Sequence, residues 1–159
     1  MASDKSILIR NIIGGVLMLV LVVTVLIWLG VFEGELSDDA QIRRLIDDSK
    51  TNVNDHDWSD LFAQCDMTAA ERDKWEKAVP QQARFVELET LNTTGFISVP
   101  TLATEYSVEV HYVSTYNVLG NTMQGKSGTA VFYFVKRDGR WWIDMDETAK
   151  SVPHFTPPK

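Results

Sequence analysis

The hydrophobic pattern divides the chain into three regimes. Residues 12–32 read IIGGVLMLVLVVTVLIWLGVF, 21 positions without a charge. As a helix rising 1.5 Å per residue this run covers roughly 31 Å, about one bilayer core. Thr24 is its only hydroxyl side chain, and a hydroxyl can bond back to its own helix. The pattern predicts a transmembrane helix. From Asp38 the apolar positions recur at helical spacing: Ile42, Leu45, Ile46 and Val53 form one stripe, predicting a helix to about Asn52. Asp57 can start a short second helix carrying Trp58, Leu61 and Phe62. The sequence Thr68-Ala69-Ala70-Glu71 is a capping box that opens a third helix to about Ala78, which Pro80 stops.

From Arg84 the period shortens to two. Residues 84–91 and 95–99 predict a strand or an interrupted pair, with Asn92 to Gly95 as a bulge or turn. Tyr106, Val108, Val110 and Tyr112 alternate with Glu105, Ser107, Glu109 and His111, the mark of a half-buried strand. Asn117 to Gly125 reads as a loop with a Gly-Asn turn. Thr129 to Val135 is apolar on both faces and predicts a central strand. Asp138-Gly139 is a two-residue hairpin signal, after which Trp141 to Met145 pairs back. Pro153, Pro157 and Pro158 predict an extended tail. The expected fold class is α+β, three helices packed on a curved antiparallel sheet behind a membrane helix. The expected segments are a cytoplasmic N-terminus over 1–11, the membrane helix over 12–32, a connector over 33–37, a domain over 38–147 and a tail over 148–159.

Charge fixes the expected topology. Lys5 and Arg10 precede the apolar run, while Glu33, Glu35, Asp38 and Asp39 follow it before the first later cation, Arg43. The positive-inside rule places Met1 in the cytoplasm and Glu33 onward outside. The run exceeds a usual signal core, no small-x-small cleavage pattern follows, and no cysteine ends it, so an uncleaved plasma-membrane anchor is expected. The formal charge is −7; residues 1–32 carry Asp4, Lys5 and Arg10, net +1, which leaves −8 for the remainder. Such a balance argues against nucleic acid or an anionic lipid surface as partner. Cys65 is the only cysteine, so no internal disulfide forms, and a bacterial source is expected.

The opening helix SDDAQIRRLIDDSKTNVNDHDWSDL and the closing hairpin VFYFVKRDGRWWIDMD, with the order of elements between them, resemble the nuclear-transport-factor-two-like fold over about residues 38–147. That fold is also found in ketosteroid isomerases. A single-pass anchor ahead of such a domain is similar in layout to small anchored proteins of actinobacteria associated with mammalian-cell-entry (Mce) lipid transporters. The resemblance implies a cone-like domain with a pocket between helices and sheet. Family enzymes place a carboxylate or histidine base and a tyrosine or aspartate acid in that pocket.

Candidate chemistry is sparse. Glu109 and His111 share a strand face two positions apart and are the candidate polar pocket residues; a solvated strand face explains them more simply. Asp144 and Asp146 share a face at the end of the last strand and read as exposed. Asp55, His56 and Asp57 are adjacent, and helix capping by Asp57 explains that cluster better than metal ligation. No phosphate loop, nucleophile elbow, CxxC or HExxH occurs, and no cofactor, metal or catalytic residue is assigned. Gly14 and Gly15 could admit a neighbouring membrane helix. One of Trp141 and Trp142 must point away from the core, marking a candidate partner surface if the sheet is covered on one side. Three functions follow from these readings. The first is a non-catalytic accessory or assembly subunit of a larger integral membrane complex. The second is a binder of lipid or a small hydrophobic molecule. The third is an isomerase-like enzyme with Glu109 or His111 as base.

Overall fold

The computed structural model describes residues 36–152. The apolar run over 12–32, with Gly14 and Gly15, and the prolines from Pro153 lie outside the described residues, as do the expectations that fall on them. Among the described residues, no helix is long and apolar enough to cross a membrane. The domain is α+β. Helices α1 (Asp38–Asp55), α2 (Trp58–Ala63) and α3 (Ala69–Ala78) precede a 3-10 turn over Gln81–Phe85. Strands β1 (Val86–Thr93), β2 (Glu105–Val118), β3 (Asn121–Arg137) and β4 (Arg140–Ile143) follow, and helix α4 (Met145–Ser151) closes the fold. The four strands form one antiparallel meander in sequence order.

Each helix begins where a side chain can satisfy its free N–H groups. Ser37 accepts from the Ala40 N–H, Asp57 from Asp60, and Asp144 from Glu147. Thr68 and Glu71 form the reciprocal capping box that the sequence predicts. α1 runs one turn past the expected stop at Asn52, because His56 takes a left-handed conformation (φ 59°) whose N–H caps the Asn52 and Val53 carbonyls. On α1, Ile42, Leu45, Ile46 and Ser49 are buried at positions i, i+3, i+4 and i+7. The Ser49 hydroxyl donates to the Leu45 carbonyl at 2.7 Å, so its burial leaves no unpaired donor.

The core lies between this stripe and one sheet face. Val108 and Val110 of β2, Ala130 and Phe134 of β3, Trp141 and Ile143 of β4, and Leu91 of β1 face it. Phe62 and Trp75 meet at 5.9 Å between ring centroids and close it on the α2–α3 side. At the far end of the core, Asp38 receives a two-pronged contact from the Lys136 ammonium at 2.7 and 2.8 Å. This contact ties the start of α1 to the end of β3.

Side chains and backbone bond part of each sheet edge, which removes those strand groups as templates for another chain. On β1, the Asn54 amide donates to the Leu88 carbonyl and accepts from its N–H, and the Lys50 ammonium donates to the Glu89 carbonyl. On the other side β4 is short. Gln64 and Asp66 bond the Ile143 backbone, and α4 serves β3 beyond the end of β4. There the Tyr133 N–H donates to the Thr148 hydroxyl and the Val131 N–H to the Ser151 hydroxyl, which itself donates to the Val131 carbonyl.

Three expectations need correction. The segment Asn117–Gly125 is not a loop: Leu119 and Gly120 alone make the turn (φ 53° and 79°), and Asn121 already pairs with Val118. The turn begins at a leucine, so the Gly-Asn signal reads one position late. Residues 95–99 do not form a strand; their backbone bonds to side chains instead, Ser98 N–H to the Tyr106 hydroxyl and Val99 N–H to Asp39. The tail expected from residue 148 begins inside α4, whose Thr148 and Ala149 are buried, so the domain runs past 147.

Candidate interaction surfaces

The alternation along β2 and β3 decides where each predicted site residue points. Glu109 and His111 are exposed, between the buried Val108 and Val110 and the half-buried Tyr112, and stand opposite Val131 and Thr129 on the outer sheet face. They therefore point away from the helices and line no space between helices and sheet. Trp141 belongs wholly to the core at 1% exposure, and it drops out as a partner surface. Trp142 is half-buried on the outer face, with the Arg140 guanidinium 4.5 Å above its ring. Asp144 caps α4 and is not on a strand face with Asp146; His56 and Asp57 are spent on helix ends. Among the described residues, no group of three or more His, Cys, Asp or Glu is placed to hold a metal ion.

The space where a cone pocket would open is occupied. Trp141, Phe134, Ile42, Ile46, Ile143, Val110 and Cys65 are fully buried there. Burial pushes the Cys65 thiol up to about 12, with Arg72 pulling it down and Asp144 raising it further, so it stays a neutral thiol. Asp38 is held below its ordinary carboxylate value, first by the Lys136 ammonium and then by the Trp141 indole, against a smaller desolvation effect. The Lys136 ammonium also lies 5.6 Å from the Trp141 ring centre. Glu71 is likewise lowered, by the Thr68 N–H and hydroxyl that it accepts from. These shifts serve helix ends and an element junction. A polar groove of about 170 Å³ lies between α3 and α4, lined by Asp66, Glu71, Lys74, Trp75, Asp144 and Asp146 among others.

Among the described residues, the most exposed large apolar side chains stand at two separate places, with Leu36 and Tyr133 less exposed elsewhere. One is the β2–β3 hairpin tip, where Leu119 is 96% and Met123 53% exposed. The other is the loop between β1 and β2, where Phe96 is 101% and Leu102 92% exposed. Both leucines hold φ values of +53° and +70°, a region that costs a residue with a Cβ roughly 1–2 kcal/mol. Sequence reasoning missed these residues. The signal available was an apolar side chain sitting inside a turn, where glycine or asparagine is the ordinary choice. The hairpin tip lies at the Val118 end of β2 and the loop joins its Glu105 end, so 14 residues of strand separate them. Compared with known families and with curated proteins, the chain matches no family model and no curated protein.

Proposed function

We propose that the chain is a non-catalytic accessory subunit that docks on a larger integral membrane complex. Residues 12–32 anchor it in a bacterial plasma membrane, with the N-terminus cytoplasmic and the domain outside. The observation that carries this reading is Leu119. A leucine 96% exposed in a left-handed turn is unfavourable for an isolated domain twice over, through conformation and through hydration. Contact with another protein would recover the hydration part, and Met123 beside it on the hairpin offers adaptable contact area of the type enriched at interfaces. The layout resemblance to the Mce-associated proteins makes a lipid transporter the favoured complex, with the nuclear-transport-factor-two-like fold as a scaffold. The filled interior weighs against a binder of lipid or a small hydrophobic ligand, and the outward direction of Glu109 and His111 weighs against an isomerase.

Purification of the full chain from native membranes in mild detergent, followed by mass spectrometry, tests the reading. One or more membrane proteins in stoichiometric amount are expected. A clean monomer from several detergents would overturn the assignment.

A further inference from the structure

We infer that the loop over residues 94–104 rests in the headgroup region of the bilayer, with Phe96 and Leu102 as its two lipid contacts. The inference rests on the anchoring of residues 12–32 proposed above. The loop reads TGFISVPTLAT, and no charge occurs between Glu89 and Glu105. It is held in place, which separates it from a loose surface segment. Ile97 is buried in the core, Thr94 bonds the Glu109 carbonyl through its N–H and its hydroxyl, and the Lys136 N–H donates to the Thr104 carbonyl. The Val99 N–H donates to Asp39 at 2.7 Å. A fixed loop thus presents a phenylalanine and a leucine, each almost wholly in solvent, on a segment that itself carries no charge.

The occupant follows from where the chain comes from. Asp39 is in the first turn of α1, and Ser37 caps that helix. The uncharged run ends at Phe32, so five residues join it to Ser37 and span at most roughly 18 Å. Phe96 and Leu102 are each three residues from Val99, the residue bonded to that first turn. The loop is therefore tied to the very point at which the domain is tethered, within reach of the headgroup layer next to the bilayer core. Aromatic and aliphatic side chains suit this layer, and the lack of charge in the loop makes the contact one of apolar burial, indifferent to lipid charge. Two carboxylates at the start of α1 are engaged within the domain, Asp38 with Lys136 and Asp39 with Val99; Glu33 and Glu35 lie in the tether and the exposed Glu105 closes the loop. Leu119 and Met123, at the other end of β2, remain clear of lipid and free for protein contact.

The test uses the full chain in phosphatidylcholine vesicles, with and without a third of phosphatidylglycerol. Phe96→Cys, Leu102→Cys and Leu119→Cys each take a polarity-sensitive fluorophore, and Cys65 stays unlabelled because it is buried. Acyl-chain-brominated phosphatidylcholine is expected to quench the labels at 96 and 102 at least twofold in both lipid mixtures, and to leave the label at 119 unchanged. Equal quenching at all three positions, or none at 96 and 102, overturns the inference. Carbonate washing of the same vesicles separates the two levels. A chain that stays in the vesicles with unquenched labels refutes the loop contact alone, and a chain that is stripped refutes the anchor on which it rests.

Discussion

Replacing Gly125 by alanine tests the least conspicuous joint in the sheet. Between Val113 and Thr115 the β2–β3 register slips, so Ser114 opposes both Gly125 and Lys126. The Ser114 hydroxyl repairs the ladder there: it donates to the Lys126 carbonyl and accepts from the Lys126 N–H, each at 3.0 Å. A Cβ at position 125 would lie 2.4 Å from the Ser114 carbonyl oxygen and 2.7 Å from its hydroxyl. Ordinary contact begins a full ångström further out, so the strands must part by about 1 Å. Both hydroxyl bonds weaken at about 1 kcal/mol each, and less than 1 kcal/mol returns from the stiffer unfolded chain. The net loss is about 1–2 kcal/mol before any residual strain, which itself costs about 1 kcal/mol or more. In a domain of roughly 120 residues, 2 kcal/mol lowers Tm by about 8 °C. Gly128→Ala is the internal comparison. There the nearest atom is the Tyr112 hydroxyl at 3.2 Å, the tip of a side chain that can swing aside, and removing a strand glycine offsets the crowding. Melting of the full chain in detergent, followed by tryptophan fluorescence, should show a clear fall for Gly125→Ala and almost none for Gly128→Ala. A Gly125→Ala protein that melts with the wild type would refute the bulge geometry.

Three further outcomes are expected. Trp141→Ala, which empties a fully buried site, should cost about 3–5 kcal/mol in denaturant unfolding, whereas Trp142→Ala on the outer face should cost far less; equal costs, or a larger cost for Trp142→Ala, would contradict this assignment of the strand faces. Because Lys136 depresses the Asp38 carboxyl, its contribution to stability is present above the ordinary carboxylate value of 3.8 and is lost as pH falls below it. The stability gap between wild type and Lys136→Gln should therefore narrow in acid, and a gap constant from pH 6 to pH 3 would contradict the pairing. Cys65, buried with its thiol pushed up to about 12, should resist alkylation in the folded chain and react within minutes once unfolded; fast native labelling would show that the α2–α3 junction opens.

Much of the fold was legible because it rests on local chemistry. The stripe Ile42, Leu45, Ile46, the Thr68–Glu71 capping box, the alternation from Glu105 to Tyr112 and the Asp138-Gly139 turn each carry their own signal. What escaped depends on contacts distant in sequence, or on residues used against their usual preference. Leu119 adopts a turn conformation that leucine disfavours, so a tight hairpin reads as a loop. α4 is short and mostly polar, and its role emerges only where Thr148 and Ser151 meet the backbone of β3. The 95–99 segment alternates like a strand, yet its donors go to Tyr106 and Asp39. The candidate surfaces were less legible still. The Trp141-Trp142 pair announced one inward and one outward ring without saying which; Leu119 carried only the weak signal of an apolar residue in a turn, and Phe96 does not differ from a core residue until its exposure is known.

The account turns on Leu119 as a protein contact, and one comparison addresses it directly. Leu119→Asp and wild-type chains would be purified side by side from native membranes, after equal melting temperatures have shown that both domains are folded. The account predicts that the stoichiometric partner of the wild type falls at least tenfold in the variant while the variant stays in the membrane fraction. An unchanged yield of the same partner with Leu119→Asp would contradict it.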